Sequence, residues 1–327
     1  MTNTAQTLLG LALLTAVLPA PVGADDGGQR SRERSQAAAG APPVATERRT
    51  FTIGRGATLD LANVAGDVRV TGGTGDAIVV EAIRRTRGDG RRSPATTRVE
   101  MQQTGSRVEV RTRGSGAGRS RDAVDFTVSV PRDAAVLARS VSGRVAVADV
   151  DGEVRLESVS GLVEMVRTPN VTLAKSVSGD VTVRDAAGGN AVTLTSVSGT
   201  VAVTGWRGRG LDASTVSGDV RLTDVAAQRV FAKSVSGDVE FGGALAAGGR
   251  YEFTAHSGDV RVRLPAAASF DLQADTFSGP LSTDFAVTLR SARSGRGSTR
   301  ALRGVAGDGA AQLIVRSFSG SVAITRQ

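Results

Sequence analysis

Apolar and polar residues alternate along most of this chain, and the alternation comes in repeated blocks. From Ser176 to Val183, Val177, Val181 and Val183 share one parity, and Ser178, Asp180 and Thr182 share the other. Successive side chains of an extended strand point to opposite faces, so the block predicts Val inward and Ser, Asp and Thr outward. Gly179 falls on the inward parity and reads as a kink or bulge with no room for a Cβ. A second apolar strand precedes each block, as in Val154-Arg155-Leu156, Val171-Thr172-Leu173, Val192-Thr193-Leu194 and Tyr251-Glu252-Phe253. Its apolar pair usually stands four and two residues before the first Ser of the block. Before Ser140, Ser176 and Ser234 the main apolar residue stands three before instead (Leu137, Leu173, Phe231), with one residue inserted there, often basic (Arg139, Lys175 or Lys233). A β-bulge is expected to absorb the insertion.

The blocks recur as variations on Ser-Val-Ser-Gly-Asp-Val. Their glycines are Gly143, Gly161, Gly179, Gly199, Gly218, Gly237, Gly258, Gly279 and Gly320, spaced 18, 18, 20, 19, 19, 21, 21 and 41 apart. A period near 19 marks a stacked, quasi-one-dimensional fold in which no single unit can bury its own core. The expected class is all-β: a β-solenoid or β-helix with two short strands and two turns per coil. A twisted sandwich of repeated hairpins is the alternative. Residues 136–327 are expected to hold regular coils. Residues 50–135 are expected to form an irregular cap and first coils, with a degenerate copy of the block at Asn63 to Val70 and a hairpin turning at Thr104-Gly105-Ser106. The gap of 41 before Gly320 reads as one degraded coil plus a loop from Ser291 to Arg303.

The first residues break the pattern. An apolar stretch from Leu8 to Leu18, Pro19 and Pro21, and the small residues Val22-Gly23-Ala24 read as a signal peptide over 1–24, although no Lys or Arg precedes the stretch. Residues 25–49 read as a disordered linker. No apolar run approaches the roughly 18 residues of a membrane span. There is no Cys, so no disulfide framework exists. The expectation is an exported protein: periplasmic, bound at the cell surface, or secreted.

Charge changes the picture at one place. The chain carries +8, and Arg84 to Arg121 contains eleven Arg against Asp89, Glu100 and Glu109. Arg84, Arg85, Arg87, Arg91, Arg92, Arg111 and Arg113 are therefore candidates for holding an anionic partner, an envelope glycan or an acidic protein surface. Solvated loops are the competing reading. A smaller cluster follows at Arg290, Arg293, Arg296, Arg300 and Arg303. Nucleic acid is not expected, because these loops lack the aromatics on which bases stack. Arg87-Gly88-Asp89 reads as a chance tripeptide.

Catalytic and metal chemistry find little support. His256, the only His, occupies a slot where other blocks carry Val or Phe, and reads as an adapted core or edge residue. No thiol, His-rich set, GxSxG or P-loop is present, and no cofactor is expected. The recurring Asp67, Asp180, Asp219, Asp238 and Asp259 would stack into a column. A turn role with a charge ladder through Arg221, Glu240 and Arg261 is expected in place of a calcium column.

The repeated SVSGDV phrases resemble a bacterial β-strand-repeat family of adhesin-like proteins over about Thr50 to Gln327. Val124 to Pro131 resembles that family's strand before its first strong repeat. The resemblance implies a non-enzymatic envelope or secreted protein that binds a surface or a protein partner, and it brings no catalytic residues. An accessory regulator of envelope-stress signalling and a β-helix polysaccharide-processing enzyme remain the alternatives.

Overall fold

The computed structural model describes residues 45–327 except 55, 87–96, 115–121 and 295–299. Its first ladder aligns the opening residue of each block in parallel: Ser140, Ser158, Ser176, Ser196, Thr215, Ser234, Ala255, Ser317 and Thr276 are successive Cα partners. A second parallel ladder follows the glycines through Val145, Val163, Val181, Val201, Val220, Val239, Val260, Val322 and Leu281. Each coil thus lends its strand edges to the coils on either side, which makes a β-solenoid. Among the described residues antiparallel pairs occur only toward the two ends, so the sandwich of hairpins does not form.

The core is built from the residues four and two before each block and from the two strand residues after it. Val192, Leu194, Val201 and Val203 are buried in this way, as are Tyr251, Phe253, Val260 and Val262. The same positions are used before Ser140 and Ser234, where Val136, Ala138, Val230 and Ala232 point inward. No insertion exists there, and Leu137 and Phe231 lie half-buried on the outer side. A register shift does occur before Ser176, between the partners Val171 and Leu173. From Val181 to Ser257 the ladder also runs round a third side, in continuous strands of 17 to 19 residues. Ala186, Trp206 and Val225 point inward from that side. Three short sides, where two were expected, enclose the core of these coils.

The parity within the block also differs from expectation. Ser176 is buried, Val177 is exposed and Val181 is buried. Five positions separate the two buried residues, an odd number, so the alternation slips by one across the Ser178-Gly179 bend. The cause is Gly179, whose φ of +152° breaks the regular strand. The Val of the block therefore faces out, and the first Ser faces in.

Both ends depart from sequence order. Thr58–Ala65 and Val68–Gly73 form the first coil along the chain. On one side they pair with Ala135–Ser142 and Val145–Ala148. On the other they pair with Arg107–Gly114 and Asp122–Pro131, so a later segment lies outside them. The mirror arrangement closes the C-terminal end. Ala311–Ser319 and Val322–Arg326 pair with Tyr251 and Val260 on one side and with Leu272 and Leu281 on the other. The last coil is thus inserted between two earlier ones. The 41-residue gap holds an antiparallel pair, Thr288–Ser294 with Arg300–Ala306, laid on the outermost strand Phe270–Ser278, in place of a degraded coil. The bounding strands Ala45–Thr52, Thr97–Thr104 and Thr288–Ser294 carry Arg or Glu, which discourages pairing with a further chain.

Candidate binding face

Three side-chain columns hold neighbouring coils together. The first is glycine. At Gly143, Gly161, Gly179, Gly199, Gly218, Gly237, Gly258 and Gly320 a Cβ would collide with the carbonyl oxygen of the glycine one coil before, and at Gly279 with that of Gly320. Their φ values, from +118° to +157°, are also ones that L side chains rarely adopt. The second column is the buried hydroxyl. Ser196 donates to the Gly179 carbonyl (2.9 Å), Thr215 to Gly199 (2.9 Å), Ser234 to Gly218 (2.8 Å) and Ser317 to Gly258 (3.0 Å). Ala255, at the same position, has no hydroxyl to give.

The third column is the recurring Asp. Asp67 accepts the N–H of Arg144 (3.0 Å), Asp180 that of Thr200 (2.8 Å), Asp219 that of Asp238 (2.9 Å), Asp238 that of Asp259 (2.9 Å) and Asp259 that of Ser321 (2.8 Å). Each carboxylate therefore ties down a backbone donor of the next coil that would otherwise lack a partner at the bend. The Ser321 N–H, with Arg261 beside it, holds Asp259 below the usual carboxylate range. The charge ladder is also present. Arg221, Glu240 and Arg261 are successive cross-strand partners, and Arg261 reaches Asp238 (2.8 Å), Asp259 (2.6 Å) and Glu240 (3.3 Å). Among the described residues no group of three Asp, Glu or His converges to hold a metal ion.

Beside these cohesive columns runs one that is apolar yet about half exposed. Val64, Val141, Val159, Val177, Val197, Val216 and Val235 stand on successive coils, each 38–50% exposed. His256, Phe318 and Phe277 continue the line on the next three coils. Their rings stack, His256 on Phe318 at 4.8 Å between centroids and Phe318 on Phe277 at 4.7 Å. Insertion of the last coil creates this stack, because it sets Phe318 between residues 256 and 277. His256 is exposed here and belongs to neither core nor edge. An uninterrupted apolar line of ten residues is unusual on a surface that has alternating polar residues available.

The line runs along a groove. One cavity of about 640 Å³ lies over Val235, His256, Phe318 and Phe277, and another of about 600 Å³ over Val64 to Val197. Two residues before each apolar residue is an outward flank position. In spatial order it reads Ala62, Arg139, Glu157, Lys175, Thr195, Ser214, Lys233, Thr254, Arg316 and Asp275. On the other side runs a line of exposed Ser, from Ser142 through Ser178 and Ser217 to Ser278. The sequence held a signal for this face. The apolar pair before each block has the parity of the first Ser, which leaves the next Val outside.

Of the Arg candidates, Arg111 stands at one end of the flank line as the cross-strand partner of Ala62, and Arg84 and Arg85 lie on another strand. Arg84 pairs with Glu47 (3.2 Å), Arg85 with Asp125, Arg111 with Glu109 (3.2 Å) and Arg113 with Glu100 (2.7 Å). Arg87, Arg91 and Arg92 lie outside the described residues, as does the Arg87-Gly88-Asp89 tripeptide. Strand pairing brings Glu47 and Asp125 from beyond the Arg-rich segment to Arg84 and Arg85. In the smaller cluster Arg290 pairs with Asp271 (2.8 Å), and Arg300 donates to the Gly279 carbonyl.

Solved structures with a similar course of the chain share little sequence with it. A "putative adhesin" from Bacteroides fragilis is 10% identical, covers 88% of this chain and 99% of its own, and gives a TM-score of 0.40. One from Parabacteroides merdae is 11% identical, with 87% and 97% coverage and a TM-score of 0.36. A "putative lipid binding protein" from Parabacteroides distasonis is 8% identical, with 87% and 97% coverage and a TM-score of 0.34. At these values the likenesses carry no argument about function. Among curated proteins no match is found. The family model described as Toastrack DUF4097 matches residues 57–325, nearly the whole of the coil stack, and the chain belongs to that family.

Proposed function

We propose that this chain is a non-enzymatic, adhesin-like binding protein of the cell envelope or exterior, and that it holds a surface or protein partner against the apolar line and its two polar borders. The observation that carries the reading is the line itself, seven exposed Val and three exposed rings on ten successive coils. Leaving such side chains in water forgoes roughly 1 kcal/mol or more each relative to covering them, which a partner recovers. A non-enzymatic role is supported by the way the chemically able groups are used. The recurring Asp are engaged by backbone donors, and His256 is stacked on Phe318. Export is supported by the composition of residues 1–24. No helix among the described residues is long and apolar enough to cross a membrane.

The test is retention of the purified chain on isolated envelope material, comparing the natural sequence with V159E/V177E and with R84Q/R85Q/R111Q/R113Q. Loss of retention of about tenfold or more in the first variant, with melting little changed, supports the reading. Equal loss in the Arg variant alone would move the site to the Arg strands. Release of soluble products from any envelope polysaccharide would overturn the non-enzymatic assignment.

A further inference from the structure

The borders of the apolar line carry more information than its hydrophobicity. We propose that the partner for this face is a second copy of the same chain, laid face to face with its coils running in the opposite direction and related by a two-fold axis through Val216. The inference deepens the binding role above and rests on the face of the apolar line being the binding face.

The first argument is spacing. Side chains in the line repeat at the strand separation of about 4.8 Å, and a second copy presents a line with the same repeat. An isologous two-fold contact requires a self-complementary patch, and an antiparallel arrangement sets the apolar lines and the flank positions each against their own kind.

Charge then selects the register. With Val216 on the axis, Arg139 faces Asp275 of the second copy and Glu157 faces Arg316, and symmetry makes each contact twice. Lys175 and Lys233 face Thr254 and Thr195. Moving the axis by half a coil one way sets Arg139 against Arg316 and Lys175 against Lys233. Moving it the other way sets Glu157 against Asp275 and Lys175 against Arg316. Both neighbouring registers therefore put like charges together, a cost that acts against them. In the selected register the one like-charged contact is Asp212 with its own copy, in the column beyond the flank.

These flank charges are available to re-pair. Arg139 meets Glu157 at 3.6 Å and Arg316 meets Glu252 at 3.3 Å, each with a side chain about half exposed on the basic side. Exposed pairs of this kind contribute little on their own. Lys175 and Lys233 make no ion pair among the described residues.

Bulk is complementary in the same register. Val141, Val159 and Val177 of one copy face Phe277, Phe318 and His256 of the other, so small residues meet rings. The cavity over the Val end receives the stacked rings. The nine coils that overlap, on a face some three columns wide, offer roughly 600 Å² per copy, near the lower bound of a specific interface, so a reversible dimer in the micromolar range is expected.

The chain has no Cys, so single Cys variants report this geometry cleanly. The experiment combines sedimentation velocity over a concentration series with a short bis-maleimide cross-linker. A monomer–dimer equilibrium is expected. R316E should weaken it about tenfold, and E157R/R316E should restore it to within about threefold. V216C should cross-link to itself, whereas V141C, far from the axis, should not. Rescue by the double charge exchange separates this register from simple loss of a folded face. A chain that stays monomeric at all concentrations, or a dimer in which the double exchange fails to rescue or V141C cross-links as well as V216C, overturns the proposal. If the monomeric chain is still retained on envelope material through its apolar line, the binding role survives and the partner is heterologous. If neither occurs, both readings fall.

Discussion

The middle of the stack and its two ends solve the same problem in different ways. Between Val171 and Ser257 the order of coils in space is their order in sequence, and each is covered by its neighbours in the chain. At the ends that rule would leave the first and last coils with a bare strand edge. Instead a later segment lies outside Thr58–Ala65, and Ala311–Ser319 lies inside Phe270–Ser278. The outermost strands are then faced with antiparallel ones, Ala77–Thr86 on one end and Arg300–Ala306 on the other. The comparison teaches that repeat sequence secures lateral cohesion only where both neighbours exist. Closure has to come from segments that have lost the repeat.

Deleting residues 311–327 should have the largest effect. A middle-like end would merely shorten by a coil. Here the deletion removes the neighbour of both Tyr251 and Leu272. Amide exchange should rise across residues 250–306 by several orders of magnitude while residues 171–217 keep most of their protection. Uniform protection afterwards would show that the inserted coil is dispensable.

Substituting glycine comes next. G218A places a Cβ against the Gly199 carbonyl in a coil held on both sides, and G279A places one against Gly320 in the outermost coil. Denaturant unfolding should show a loss of at least about 3 kcal/mol for the first and about 1–2 kcal/mol for the second, whose coil is freer to yield. Equal losses would mean that the end is as rigid as the middle.

The hydroxyl column predicts smaller effects. S234A removes the bond to the Gly218 carbonyl and should cost about 1 kcal/mol. A255S supplies a hydroxyl where the column lacks one and should gain up to about 1 kcal/mol. A destabilised A255S would show that the Gly237 carbonyl beneath it is inaccessible to a donor.

Acid should act on the ends and the middle with opposite sign. Asp259, which joins the inserted coil through Ser321, is held below the ordinary carboxylate value. Its unfolded form takes up a proton first, so its contribution is full above about pH 4 and is lost as pH falls through the folded value. Burial raises Asp212, in the middle. There the folded form holds the proton longer, so stability falls as pH rises through that range and ionised Asp212 is a cost at neutral pH. D212N should raise the melting temperature at pH 7 by about 1–3 °C, whereas D259N should lower it and flatten its acid dependence. Melting curves between pH 3 and pH 7 read both, and a lowered melting point for D212N would contradict the sign.

Much of the fold was legible. The glycine period gave the coils, and the alternation of Val192, Leu194 and Ser196 gave the core side of the first strand. Near-equal coil lengths were enough to align Arg221, Glu240 and Arg261. What stayed hidden has physical causes. One parity carried across Gly179 placed Val177 inside, because a left-handed glycine shifts the phase without changing the residue count. The position of the Ser317 coil was invisible, because its block is as good a neighbour for Gly258 as for Gly279. The ion pairs of Arg84 and Arg85 were missed because their acids, Glu47 and Asp125, come from other strands. The exposed apolar line fell into the same gap, since both its Val and its ring stack depend on those two hidden facts.

The inserted last coil also sets a timetable. A chain made from its N-terminus completes the middle early, for each new coil needs only the previous one. The coil of Phe270 to Thr283 has to wait, because the strand between it and Tyr251 follows it in the chain. Pairing Tyr251 with Leu313 closes a loop of some sixty residues, the kind of non-local step that limits folding rate. Until then residues 250–257 and 270–278 lack the neighbour they share, and arrival of Ala311–Ser319 latches both coils at once.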